Sequence, residues 1–107
     1  MLSGDELKKI KKNFNDEKEF FLISSFKALG DTNRHRIFQL LNTRPQMSAS
    51  DIAETLNISR PLASQHLKIL EQAQLFKKKK IGQHKFYQLN QLNPFIRALA
   101  KTIKKFN

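Results

Sequence analysis

No cysteine occurs anywhere in the 107 residues, which removes disulfides, thiolate metal sites and thiol redox sensing together and makes a reducing compartment the natural setting. Acid is scarce as well: 9 Asp plus Glu stand against 20 Lys plus Arg, a net charge of +11. That imbalance favours a polyanionic partner, either nucleic acid or an acidic membrane surface. With only three Gly and three Pro, and no internal repeat or low-complexity linker, most of the chain should be regular structure. Long apolar runs are missing too; stretches such as Phe20 to Ile23 fall far short of the roughly 20 residues that span a bilayer. The first 30 residues carry Lys8, Lys9, Lys11 and Lys12 and lack the apolar core and small-residue cleavage site of a secretion signal. A soluble, cytoplasmic protein without membrane attachment is expected. Its length allows one domain, residues 1–107, small enough to lean on a partner subunit for extra core.

What is present is mostly helical spacing. Residues 1–15 read as a basic N-terminal extension. A helix is predicted over 16–29, closed by Gly30 as a residue with positive φ. Asp31 caps the next helix, 32–43, whose apolar face is Ile37, Phe38, Leu40 and Leu41 and which Pro45 stops. Ser48 or Ser50 introduces a short amphipathic unit, Asp51 to Leu56, broken at Asn57. Ser59 then caps a helix running through Leu62, Ala63, Leu67, Ile69 and Leu70, with Pro61 in its first turn, where a missing N–H costs nothing. Leu75 to Ile81, Gly82 and His84 to Leu89 read as strand, turn and strand. A last helix falls within 91–106. The fold class is mainly α with a small β-hairpin, in the order α-α-α-α-β-β-α.

Two short helices joined around Asn57 and Ile58, the second opening with polar side chains, have the layout of a helix-turn-helix over residues 51–73. A helix that reads the major groove must turn hydrogen-bonding groups outward near its N-terminus while its other face holds the core. Arg60, Ser64, Gln65 and Lys68 meet the first demand, Ala63, Leu67 and Leu70 the second, and His66 borders both faces. Solvated residues on any amphipathic helix would look similar. The hairpin, 75–89, weighs against that blander account: Lys77, Lys78, Lys79, Lys80 and Lys85 surround its turn without a single acid. Lysines can merely guard an edge strand, but a basic hairpin directly after a helix-turn-helix forms a wing suited to phosphate. The candidate DNA contacts are Ser48, Ser59, Arg60, Ser64, Gln65, His66, Lys68, Lys79, Lys80, Gln83, His84 and Lys85.

The segment "FKALGDTNRHRIFQLL", residues 26–41, resembles the Leu-x-Asp-Pro-Thr-Arg-x-Arg-Ile signature of the ArsR/SmtB family, with Asp31, Arg34, Arg36 and Ile37 in register. Thr32 and Asn33 depart from its Pro-Thr. The following "DIAETLNISRPLASQHLKILEQAQLFKKKKIGQHKFYQL" resembles the same family through Ser64, His66, Leu67 and Leu70 and then the wing. Together the likeness spans roughly residues 20–106. It implies a winged helix-turn-helix repressor that binds a two-fold symmetric operator on double-stranded DNA as a homodimer, paired through its first and last helices, 16–29 and 91–106. Phe20, Phe21, Ile23, Phe95, Leu99, Ile103 and Phe106 are the candidate interface, since they offer more apolar surface than a chain this short readily buries. A non-specific nucleic-acid-binding protein is the alternative that the charge alone would allow.

Relatives in that family release DNA on binding a metal or oxidant, and this chain lacks both kinds of ligand set. Ser48 and Ser50 stand near the thiols of one class, and hydroxyls hold soft metals poorly. Gln91, Asn93, Lys104 and Asn107 occupy the offsets of the other. His35, His66 and His84 are scattered without acidic partners, so no metal or other cofactor is expected and the effector is unknown. Catalysis has no support either: Ser64 and His66, two apart, lie on different helix faces.

Overall fold

In the computed structural model, which describes residues 1–14 and 16–106, six helices and a three-stranded antiparallel sheet alternate along the chain. Asn15 and Asn107, both inside the ranges read from the sequence, lie outside the described residues. Helix α1 spans Gly4–Lys11 and was read only as an extension. Its local signal is a capping box: Ser3 Oγ accepts from the Glu6 N–H at 3.1 Å while Glu6 Oε1 accepts from the Ser3 N–H at 3.1 Å, so two orphan donors are satisfied reciprocally. None of its residues is buried.

Helix α2, Asp16–Leu29, matches the expected span, but its end does not. Gly30 does not adopt positive φ; its N–H bonds Lys27 O at 3.3 Å, and a Cβ there would lie 3.3 Å from Phe26 O. Close backbone approach, not left-handed φ, is what this glycine provides. Asp31 caps helix α3, Thr32–Thr43, its carboxylate accepting from the Arg34 N–H at 3.0 Å. The chain then extends through Arg44 into a two-residue strand β1, Met47–Ser48, too short for a period-2 signal in the sequence.

Helix α4 runs Ala49–Leu56 and helix α5 runs Arg60–Gln72. Ser48, rather than Ser50, caps α4 through the Asp51 N–H at 3.1 Å. Asn57 takes the left-handed conformation, φ 54° and ψ 47°, so that the Ile58 N–H folds back to Ala53 O at 3.0 Å. Asn tolerates this conformation better than most residues, and here it makes the bend between the two helices. Ser59 caps α5 by accepting from the Leu62 N–H. A second left-handed residue, Gln74 with φ 64°, ends that helix and had no signal in the sequence.

Strands β2, Phe76–Ile81, and β3, His84–Leu89, pair antiparallel, and β1 pairs on the other side of β3. Gly82, φ 62°, occupies the first loop position of the two-residue turn, where positive φ matches the twist of the strands. Helix α6 covers Pro94–Lys105, shorter than the expected 91–106. Asn93 accepts from the Phe95 N–H at 2.8 Å and Pro94 pre-sets φ at the first position, so the cap moves the start inward.

One core unites these elements. Ile37, Phe38, Ile52, Leu67, Leu70, Leu75 and Ile96 are fully buried, and Phe38 stacks on Phe76 with ring centroids 6.3 Å apart. Ser25, also fully buried, returns its hydroxyl to Phe21 O at 2.9 Å, which satisfies a polar group that burial would otherwise penalise. Thus α3 sits centrally, α4 and α5 pack on it as a pair, and the β2–β3 wing projects beyond the core.

Candidate nucleic-acid interface

The wing bends beside α5 and encloses a cleft of about 490 Å³ lined by Ser48, Ala49, Ser50, Arg60, Ser64, Lys68, Glu71, Lys78, Gln83, His84, Lys85 and Tyr87. Arg60, Ser64 and Lys68 recur every four residues, so one stripe of α5 faces the cleft. Opposite them stands one face of the hairpin. Directly paired residues on antiparallel strands share a face, and the register sets Lys78 against Tyr87 and Lys80 against Lys85. The inner part of that face, Phe76, Tyr87 and Leu89, is buried in the core; its outer part is lysine.

Seven of the twelve sequence-derived candidates therefore line one surface: Ser48, Arg60, Ser64, Lys68, Gln83, His84 and Lys85. Arg60 is exposed at the first turn of α5 and its guanidinium donates to Ser50 Oγ, which ties the start of α5 to the start of α4. Ser48 Oγ is occupied as an acceptor by its capping bond, leaving its O–H as a donor. Gln65 is exposed on α5 outside the cleft lining, and Ser59 is exposed but engaged as a cap.

Two candidates are redirected. His66 is 8% exposed, because it shares the inner side of α5 with Ala63, Leu67 and Leu70; its Nδ1 lies 3.1 Å from Arg34 Nη1 and 3.8 Å from Asp31 Oδ2. It is not a groove-facing residue. Lys79 pairs with Phe86 on the far face of the hairpin, away from the cleft, and the register puts Lys78 where Lys79 was expected. Lys78 and Glu71 were missed: Lys78 Nζ lies 3.8 Å from Glu71 Oε1, the one acid lining the cleft. Burial, and then the charge of Glu71, raises the Tyr87 hydroxyl above its ordinary value of 10.0, so at neutral pH it remains a neutral donor.

The interface candidates separate by exposure. Phe20 is 75% exposed, Ile23 50% and Phe106 85%. By contrast Phe21, Phe95, Leu99 and Ile103 pack at least partly against the core, and Phe21 meets Phe95 edge-on with centroids 5.8 Å apart. Phe26, 59% exposed, is a further apolar group of α2 that the sequence reading omitted. Among the described residues no three His, Asp or Glu side chains gather as a metal site, and no helix is long and apolar enough to cross a membrane.

A family model described as a helix-turn-helix domain matches residues 29–76, the stretch that contains α3, α4 and α5. Transcriptional repressor SdpR of Bacillus subtilis (strain 168) is 46% identical over 65 residues, which cover 61% of this chain and 71% of SdpR. Among solved structures, HlyU from Vibrio cholerae N16961 aligns with a TM-score of 0.76 at 22% identity, over 86% of this chain and 97% of HlyU. The homodimeric winged helix-turn-helix DNA-binding domain of a possible ArsR-family regulator from Mycobacterium bovis aligns with a TM-score of 0.75 at 18% identity, over 88% and 84% of the two chains. At such identities these two structures establish a shared winged helix-turn-helix fold.

Proposed function

The chain belongs to the ArsR/SmtB-type family of winged helix-turn-helix transcriptional regulators, and from that premise we propose that two copies bind a two-fold symmetric operator in double-stranded DNA and repress transcription from it. In this reading α5 enters the major groove with Arg60, Ser64, Gln65 and Lys68 toward base edges and phosphates. The wing lies along the neighbouring backbone through Lys78, Lys80 and Lys85. Regulation rather than catalysis is what the family and its named relatives point to, and a DNA partner would suit a cytoplasmic protein.

One observation carries the reading. Lys80 and Lys85 are direct cross-strand partners on the hairpin face that carries Lys78 and Tyr87, with Lys85 lining the cleft, and like charges in that position destabilise a free sheet. A phosphate between them turns the repulsion into binding, which gives the arrangement a purpose that solubility does not. The alternative of a non-specific nucleic-acid protein is not favoured, because the similar curated sequences are named as transcriptional repressors and regulators.

The same reading assigns Phe20, Ile23, Phe26 and Phe106 to a subunit interface, supported by their exposure and by the homodimeric state of the M. bovis structure. Selection from a random duplex library tests the proposal: enriched sites with two inverted halves about 34 Å apart support it, and recovery of unrelated duplexes at about 0.15 M salt, where screening already weakens charge alone, would end it.

A further inference from the structure

Arg34 touches three elements at once. It sits in the first turn of α3, its Nε donates to Ala28 O at the end of α2 at 2.6 Å, and its Nη1 lies 3.1 Å from His66 Nδ1 on the inner side of α5. A guanidinium nitrogen can only donate, so the contact requires a lone pair on Nδ1 and hence the imidazole protonated at Nε2 alone. Asp31 caps the same turn through the Arg34 N–H and stands 3.8 Å from Nδ1.

We propose that Arg34 and His66 are positioning residues, a buried clamp that fixes the recognition helix against the end of the dimerisation helix, and that DNA binding requires His66 to be unprotonated at Nδ1. This rests on the reading of α5 as the recognition helix. His66 is buried beneath the groove-facing stripe, so neither residue reads DNA; each acts through the orientation of Arg60, Ser64 and Lys68, which lie two to six residues from His66 on the same rigid helix. Adding a proton at Nδ1 replaces an acceptor with a second cation against Arg34 and redirects the ring toward Asp31. The clamp is then broken at the point where α2, α3 and α5 meet.

The other charged groups near this junction do not duplicate the effect. On α2, Lys27 shares a groove with Arg34. On α4, Asp51 and Glu54 are exposed, and on the wing Lys78 is engaged with Glu71. Two further histidines need control, His35 beside Arg34 on α3 and His84 in the cleft. His84 works in the opposite direction, since a protonated ring there attracts phosphate.

The test uses the full chain in a His35→Gln, His84→Gln background. Imidazole ¹⁵N NMR without DNA reports the His66 tautomer, and fluorescence anisotropy with a selected duplex reports affinity from about pH 8 to about pH 5.5, the range in which imidazoles titrate. Expected are an Nε2–H tautomer at the upper pH and affinity for the duplex that weakens as the pH is lowered. His66→Asn, which keeps an acceptor near the Nδ1 position but cannot titrate, should bind as the background does at the upper pH and lose the pH dependence. Arg34→Ala should weaken binding and flatten the profile while circular dichroism shows the helices retained. An Nδ1–H tautomer, or an unchanged pH slope in His66→Asn, overturns the clamp while the DNA reading stands. The expected tautomer in a protein that binds no duplex overturns both.

Discussion

Lys78 Nζ lies 3.8 Å from Glu71 Oε1, joining the wing to the last turn of α5 across the floor of the cleft. Both side chains are about a third exposed, so as a surface ion pair it contributes little to stability. Its consequence is for binding: the carboxylate holds one cleft lysine and presents a negative charge where phosphate should approach. Glu71→Gln is therefore expected to strengthen duplex binding and steepen the dependence of log K on log salt by about 0.9, the equivalent of one more phosphate contact. A titration series in salt checks this; weaker binding by the variant would show that Glu71 supports the site.

Lysines on the two faces of the hairpin should behave differently. Lys78→Ala and Lys85→Ala remove charges lining the cleft and should weaken all duplexes alike, each reducing the salt slope by about one contact. Lys79→Ala, on the face with Phe86, should have a smaller effect. Arg60→Ala should cost about 1–3 kcal/mol on the selected duplex and relax base choice at one position. Equal losses for Lys78→Ala and Lys79→Ala would mean the DNA does not follow the cleft.

The fold was legible where side chains carry local chemistry. Asp31 and Ser59 announce helix starts, and the alternating side-chain pattern around Gly82 announces the wing, whereas the Asn93 cap that sets the start of α6 went unread. Positions decided by tertiary contact were not. His66 looked like a groove residue because it is polar and falls between the two faces; only Arg34, 32 residues earlier, explains why it turns inward. In the lysine run every residue has the same identity, so which lysines face α5 follows from register, which the pairing of Phe76 with Leu89 in the core fixes. Strand β1 gains its hydrogen bonds from β3, nearly forty residues on, and β-structure that short has no period to detect. Leu2, Leu7, Ile10 and Phe14 of the N-terminal segment remain exposed, and the helix there was visible only as its Ser3–Glu6 box.

Asn57 is expected to tolerate glycine and to reject a β-branched residue. With φ at 54°, Asn57→Gly relieves the left-handed conformation at some entropic cost and should change stability by less than about 1 kcal/mol. Asn57→Val places a branched Cβ in that region and should destabilise by about 1–3 kcal/mol. Urea denaturation of both variants measures the difference, and equal midpoints would show that the bend does not depend on this residue.

Charge introduced on the exposed face of α2 should separate the subunits. Phe20 and Phe26 are 75% and 59% exposed, so neither Phe20→Asp nor Phe26→Asp disturbs the buried core of one chain. Sedimentation velocity should show a shift from dimer to monomer at micromolar concentration. Affinity for a two-half-site duplex should fall by more than affinity for a single half-site, because the linkage that makes the second contact intramolecular is lost. An unchanged dimer in both variants would move the interface elsewhere.

Asp31 links acid stability to the junction beneath the recognition helix. Its carboxylate accepts from the Arg34 N–H, and that bond, with a smaller contribution from the charge of Arg34, holds its pKa below the ordinary value of 3.8. A carboxylate whose folded pKa is depressed contributes stability that is complete above the unfolded value and disappears as pH falls through the folded one. Asp31→Asn keeps an acceptor for the cap but has no such titration. The difference in urea midpoint between wild type and Asp31→Asn should therefore be largest near about pH 6 and shrink toward about pH 3, below the unperturbed carboxylate range. Asp31→Ala removes the acceptor at every pH and should be less stable than Asp31→Asn throughout. Were the Asp31→Asn difference to widen on acidification instead, the sign of the coupling would be reversed, and Asp31 would have to be favoured in its protonated form.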